Sequence, residues 1–166
     1  MRRLSLFGAV ASATVMFASI VYAQQQGSPP PPAPPFGTPI TLDQAKKVAA
    51  AAEAEAKKNN LNSAFAIVEP TGALVYFAKM DGTQYAAVNV AMDKATSAAL
   101  YRRPTAAFDA GLRAGNTYLM TLRGMNAVPG GIPIVVDGKL IGAIGVSGGS
   151  GPEDAQVAEA GAVALK

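Results

Sequence analysis

Hydrophobic positions along the chain follow two rhythms, and their succession predicts the elements. Leu42, Ala45, Val48, Ala49, Ala52 and Ala56 recur at helical spacing, with Asp43, Lys46, Lys47 and Glu53 on the opposite face. Thr41 and Gln44 form a capping box that opens this first helix, and Asn59-Asn60 ends it. Its inner face is mostly alanine, so it can lie close on a sheet. Residues 64–68 and 73–78 read as strands joined at Glu69-Pro70-Thr71-Gly72. Phe65, Ile67, Leu74, Val75, Tyr76 and Phe77 place apolar groups on both faces, which predicts a sheet covered on both sides or meeting a partner. Asp81-Gly82-Thr83 breaks the pattern before an alanine-rich helix over 85–100, and Arg103-Pro104-Thr105 precedes a third over 106–113. Residues 117–128 contain Tyr118, Met120, Leu122 and Met125 without a clean period. Residues 132–136 and 139–146 then form a hairpin around Asp137-Gly138, the strongest local turn signal in the chain. Pro152, Glu153 and Asp154 suit the first turn of a last helix reaching about residue 165. The expected fold is α/β (α+β), one antiparallel sheet flanked by helices in the order α-β-β-α-α-β-β-α.

The amino-terminal stretch follows neither rhythm. Arg2 and Arg3 precede an apolar run over 4–21, and Val21-Tyr22-Ala23 supplies a small-x-small cleavage signal, the layout of a secretory signal peptide over residues 1–23. Ser5, Ser12, Thr14 and Ser19 interrupt the run, whereas a permanent anchor needs about 20 predominantly apolar residues. The expectation is an exported protein, periplasmic or secreted, with no membrane span in the mature chain. Residues 24–37 hold Pro29-Pro30-Pro31-Pro32-Ala33-Pro34-Pro35, which favours an extended polyproline II linker. Residues 38–166 remain as one domain, long enough to bury a single core.

Composition narrows the chemistry. The formal net charge is +3, and removing residues 1–23, with their two arginines and no acid, lowers it to +1. A near-neutral domain offers no electrostatic case for nucleic acid, which wants clustered Lys and Arg on one face. The chain has no cysteine, so neither disulfides nor a thiolate nucleophile is available, and haem cannot be attached through a c-type linkage. It has no histidine, the commonest metal ligand and general base. Ser147 in Gly145-Val146-Ser147-Gly148-Gly149 superficially resembles a nucleophile elbow, but the triad behind that motif needs a histidine. The carboxylates show no pairing at a readable spacing, and the reading leans away from an enzyme.

A resemblance carries further. Ile40-Thr41-Leu42 with the alanine-rich first helix, Asp93-Lys94-Ala95, Gly130-Gly131-Ile132-Pro133, Gly142-Ala143-Ile144-Gly145-Val146-Ser147-Gly148-Gly149, and Asp154 with Ala158 and Gly161 follow one another in order over nearly the whole domain. In these pieces residues 38–166 resemble the HbpS/GlcG family, to which the C-terminal domain of PduO-type cobalamin adenosyltransferases also belongs. The resemblance implies a compact α/β subunit, homo-oligomer assembly, non-covalent haem binding in several members, and an environment-sensing role in some. Some members hold haem iron through histidine. This chain has none, so an oxygen, sulfur or amine donor must serve, or no protein ligand at all.

Candidate contacts follow from what haem needs: apolar walls for the macrocycle and cations for its propionates. Arg102 and Arg103, beside Tyr101 at a helix end, offer the cations, although the pattern by itself favours a solvated basic helix end. Tyr101, Tyr118, Met120 and Met125 are the local oxygen and sulfur donors, each also readable as ordinary packing. Lys94, among Ala87, Ala91, Ala95 and Ala98, marks either a ligand carboxylate or a structural ion pair with Asp93 or a strand acid. Gly130 and Gly131 join the set through the matching Gly-Gly-Ile-Pro. The glycine loop 145–151 enters a helix N-terminus, where free N–H groups can hold an anion, or where glycines merely permit a tight turn. The expected function is haem or tetrapyrrole binding for capture, storage or sensing. The alternative is an enzyme or accessory of small organic-acid metabolism, with Lys94 and the glycine loop holding a carboxylate ligand.

Overall fold

The computed structural model describes residues 32–166. The signal peptide read over 1–23 and most of the linker read over 24–37 lie outside the described residues. The elements are α1 (Leu42–Lys58), β1 (Ala64–Val68), β2 (Leu74–Lys79), α2 (Ala87–Tyr101), α3 (Ala106–Arg113), a short 3-10 helix (Thr117–Thr121), β3 (Gly131–Val136), β4 (Lys139–Ser147) and α4 (Gly151–Ala162). The order read from the sequence holds, and the unpatterned stretch contributes the single 3-10 turn.

The four strands form one antiparallel sheet in the order β2-β1-β4-β3. Both faces are covered, which settles the choice the two-sided apolar pattern left open. On one face α1 and α4 pack through Ala45, Val48, Ala52, Val157 and Ala158 onto Phe65, Ile67, Ile144 and Val146. On the other, α2 lays Ala87, Ala91, Ala95 and Ala98 onto Ala64, Ala66, Val68 and Ala143. Strand residues of opposite parity therefore feed two separate cores, as the pleat requires.

Alanine facing glycine brings α2 unusually near the sheet. A β-carbon on Gly145 would overlap the Ala91 carbonyl and stand 2.5 Å from the Ala95 nitrogen, so only glycine fits this crossing. The β3–β4 turn has positive φ at both Asp137 (49°) and Gly138 (73°), the geometry that matches strand twist in a two-residue hairpin. The Thr41–Gln44 box forms as read: the Gln44 N–H donates to Thr41 Oγ1 at 3.3 Å and the Thr41 N–H to Gln44 Oε1 at 2.9 Å.

Strand β3 is a sheet edge, and Pro133 sits within it, where a missing N–H breaks no ladder. Beyond the end of β1, strand β4 finds a different neighbour. The Leu140 N–H donates to the Pro35 carbonyl at 2.8 Å, the Gly37 N–H to the Leu140 carbonyl at 2.7 Å, and Phe36 makes a parallel bridge to Leu140. Residues 34–37, placed by their prolines in the linker, thus lie hydrogen-bonded to the domain. Among the described residues no helix is long and apolar enough to cross a membrane.

Candidate functional site

Two places gather the residues singled out in the sequence. The first is internal. Lys94 projects from the middle of α2 and is 1% exposed; its Nζ donates to Asp154 Oδ2 at 2.7 Å and to the Val146 carbonyl at 2.9 Å. The other oxygen of Asp154 accepts from the Gly149 N–H at 2.9 Å. The ion-pair partner is therefore an acid in the first turn of α4, not Asp93 or a strand acid. No single-sequence signal joins positions 94 and 154, because β3 and β4 intervene and only the folded sheet brings the two helices to one end. Burial raises the Asp154 carboxyl above its ordinary range, opposed by the hydrogen bonds from Lys94 and the loop N–H groups.

The same geometry answers the question of the glycine loop. Gly149 N–H is taken by Asp154, and the N–H and hydroxyl of Ser150 both donate to Glu153 Oε2, at 2.7 and 2.6 Å. Those bonds hold the Glu153 carboxyl below its usual range. The chain's own acids thus occupy the helix N-terminus, and the tight-turn reading of the loop prevails. The carboxylate-ligand alternative loses both contacts on which it rested, since Lys94 and the loop are engaged internally. Gly130 and Gly131 belong to this region as backbone. Gly130 has φ +123°, accepts from the Val146 N–H, and a β-carbon there would come within 2.9 Å of Lys94 Nζ. Gly131 exchanges hydrogen bonds with Thr105, at 2.9 and 3.0 Å, and its α-carbon lies under the Lys94 carbonyl, where no side chain fits.

The second place is a surface groove of about 270 Å³ beside the β3 edge. Ile132, Pro133 and Val135 of β3 form its floor, with Ala162 and Val163 from the end of α4, and Pro34 and Pro104 as further apolar walls. Its charged groups are Arg102, Lys166 and Glu159. Arg102 follows the last residue of α2 in the left-handed conformation, φ 52°, a position where glycine is favoured. Its Nη1 donates to the Pro34 carbonyl at 3.2 Å, and its guanidinium lies over the Phe36 ring at 5.0 Å.

The remaining candidates scatter. Arg103 is exposed, donates to the Tyr101 carbonyl at 3.4 Å and lies 5.7 Å over the Phe108 ring, outside the groove lining. Tyr101 packs edge-on against Phe108, and its hydroxyl donates to the Arg123 carbonyl at 2.8 Å, a bond that commits its proton. Tyr118 and Met120, on the 3-10 turn, are 64% and 70% exposed. Met125 borders a separate polar cavity of about 290 Å³ with Asp93, Thr96 and Asn126. No phenol or thioether lines the Arg102 groove, so grouping tyrosines and methionines with the arginines by sequence proximity does not survive folding. What the sequence reading missed were Ile132, Val135, Glu159, Val163 and Lys166. A Gly-Gly-Ile-Pro edge strand hinted at the first of these, and nothing pointed to the others.

The groove carries apolar walls that suit a flat hydrophobic body and two cations that suit its carboxylates. Among the described residues no cluster of three His, Cys, Asp or Glu side chains is placed to hold a metal ion. Glu159 and Lys166 are the side chains in the groove lining with an oxygen or amine donor for a metal.

Comparison with known proteins places this architecture. A family profile described as "Haem degrading protein HbpS-like" matches residues 40–163. Protein GlcG of Escherichia coli K12 is 39% identical over 112 residues, covering 66% of this chain and 84% of that protein. The crystal structure of HbpS superposes with a TM-score of 0.73 at 32% identity, over 78% of this chain and 92% of that one. A PduOC:haem complex shares the fold, with a TM-score of 0.69 at 21% identity over 76% and 95% of the two chains. The order of elements, the span of the matched profile and the identity to these relatives agree: the chain belongs to the HbpS-like family.

Proposed function

We propose that this protein binds haem or a closely related tetrapyrrole non-covalently, as an exported protein that captures, stores or senses it. The observation that carries the reading is the Arg102 groove, whose apolar floor on β3 and α4 is flanked by Arg102 and Lys166. Burying one macrocycle face on Ile132, Pro133, Val135, Ala162 and Val163 gains about 25 cal/mol for each Å² of apolar surface removed from water. The two cations offer the propionates charge-assisted hydrogen bonds. The family's description in terms of haem supports the same ligand. At about 270 Å³ the groove takes one edge of such a ligand, since sites that enclose small molecules run to about 300–1,000 Å³. Self-association fits the exposed Leu100, Tyr118, Met120 and Val128. The export reading rests on the signal layout of residues 1–23.

Titration of the purified protein with haemin tests the reading. A saturable Soret shift is expected, of high-spin ferric character, because the groove lining contains no imidazole, thioether or phenol. Arg102→Ala should weaken binding by about tenfold, the worth of roughly 1.4 kcal/mol. No saturable shift in the wild-type protein would overturn the proposal. A Soret band that forms and then decays on adding a reductant would point to turnover instead of storage.

A further inference from the structure

We infer that the proline-rich arm preceding the domain is part of the binding site, with Pro34 and Phe36 as positioning residues that aim Arg102 at a ligand carboxylate. This rests on the groove being the ligand site, as proposed above. Three observations converge on it.

The arm is fastened. Backbone hydrogen bonds tie Pro35 and Gly37 to Leu140, and the Ile40 N–H donates to the Ile141 carbonyl at 2.8 Å. Gly37 fits this approach because a β-carbon there would stand 2.9 Å from Lys139 Cβ. Prolines at 34 and 35 fix φ in advance, so little chain entropy is lost in holding the arm against β4.

Phe36 is not held for burial. It remains 56% exposed, yet its ring lies under the Arg102 guanidinium. An aromatic that gains little from the core but stacks on one cation serves that cation's orientation.

Arg102 occupies a left-handed backbone position that favours glycine, φ 52°, which turns its side chain off the axis of α2 at the cost of some strain. Of its five N–H donors the Pro34 carbonyl takes one, at 3.2 Å. The Phe36 ring lies against the guanidinium, and among the described residues no second acceptor takes its remaining donors, beside the groove that Arg102 and Pro34 both line. A planar fork held in this way matches a carboxylate borne on a flat apolar body.

The test compares two probes, haemin and its dimethyl ester, on the full-length chain as the cell processes it. The variants are wild type, Phe36→Leu and Arg102→Ala, each with its melting temperature recorded. Wild type should prefer haemin to the ester. Phe36→Leu should weaken haemin about two- to fivefold, the range of an exposed cation–π contact, and leave the ester unchanged. Arg102→Ala should shrink the preference between the probes to what Lys166 alone sustains. If Phe36→Leu leaves haemin affinity intact while Arg102→Ala lowers it, the groove stands as the site and the arm's role is refuted. Equal weakening of both probes by Phe36→Leu also refutes it, since the ring would then be only a wall. If wild type binds neither probe, the ligand reading itself fails and the inference falls with it.

Discussion

Replacing Lys94 by methionine keeps the length and most of the volume of the side chain and removes only the ammonium. In the native structure that ammonium is 1% exposed and serves two acceptors, Asp154 Oδ2 at 2.7 Å and the Val146 carbonyl at 2.9 Å. Its removal leaves a buried carboxylate supported by loop N–H groups alone, that of Gly149 at 2.9 Å among them, together with an orphaned carbonyl. Two unit charges about 4 Å apart attract by about 4 kcal/mol at an effective dielectric constant near 20. Breaking a buried pair by removing one partner costs about 3–5 kcal/mol. A domain of this size loses roughly 3–5 °C of melting temperature per kcal/mol, so Lys94→Met should melt about 10–20 °C below wild type. Asp154→Leu in the Lys94→Met background removes the stranded carboxylate and should recover most of the loss, because apolar replacement of a whole buried pair is commonly near neutral. Calorimetric melting of the wild type, the single variant and the double variant measures both effects. A single variant within about 3 °C of wild type would falsify the view that this pair joins α2 to α4, since that shift corresponds to only about 1 kcal/mol.

The same carboxyl predicts a pH dependence. Burial raises Asp154 in the folded state, so as pH climbs from the ordinary carboxylate range the unfolded chain ionises first. Stability should therefore decline up to the raised folded value and level off above it; denaturant titrations of wild type minus Asp154→Asn isolate this slope, and an opposite sign refutes the assignment. Gly145→Val should destabilise by about 3 kcal/mol or more, because its side chain would displace Ala91 and Ala95 of α2; an unchanged denaturation midpoint would contradict that packing. Thr41→Ala, which removes the acceptor of the Gln44 N–H, should cost about 1 kcal/mol, read as a small fall in melting temperature without change of fold. Mass spectrometry of exported material should give a chain beginning near Gln24, and retention of Met1 would overturn the export reading.

What the sequence determined by itself was local. The Thr41–Gln44 box, the Asp137-Gly138 turn and the 3.6-residue spacing of Leu42 to Ala56 each depend on neighbours a few positions away, so element order was legible without any knowledge of packing. The two-sided apolar strands likewise announced a covered sheet, although only folding showed that helices cover both faces. The site was less legible, because its chemistry is long-range. Lys94 was noticed as a charge among alanines, but its partner lies 60 positions away and is chosen by where β4 delivers the start of α4. Arg102 was visible as a cation, yet its setting comes from an arm that composition alone assigned to a linker. Nearness in sequence put Tyr101, Tyr118 and Met120 beside the arginines, whereas in the folded chain Tyr101 packs edge-on against Phe108 and Tyr118 and Met120 stand exposed on the 3-10 turn. Backbone periodicity is dictated by adjacent residues; which side chains face one another across a groove is decided by strand order and helix crossing, and these are properties of the folded chain alone.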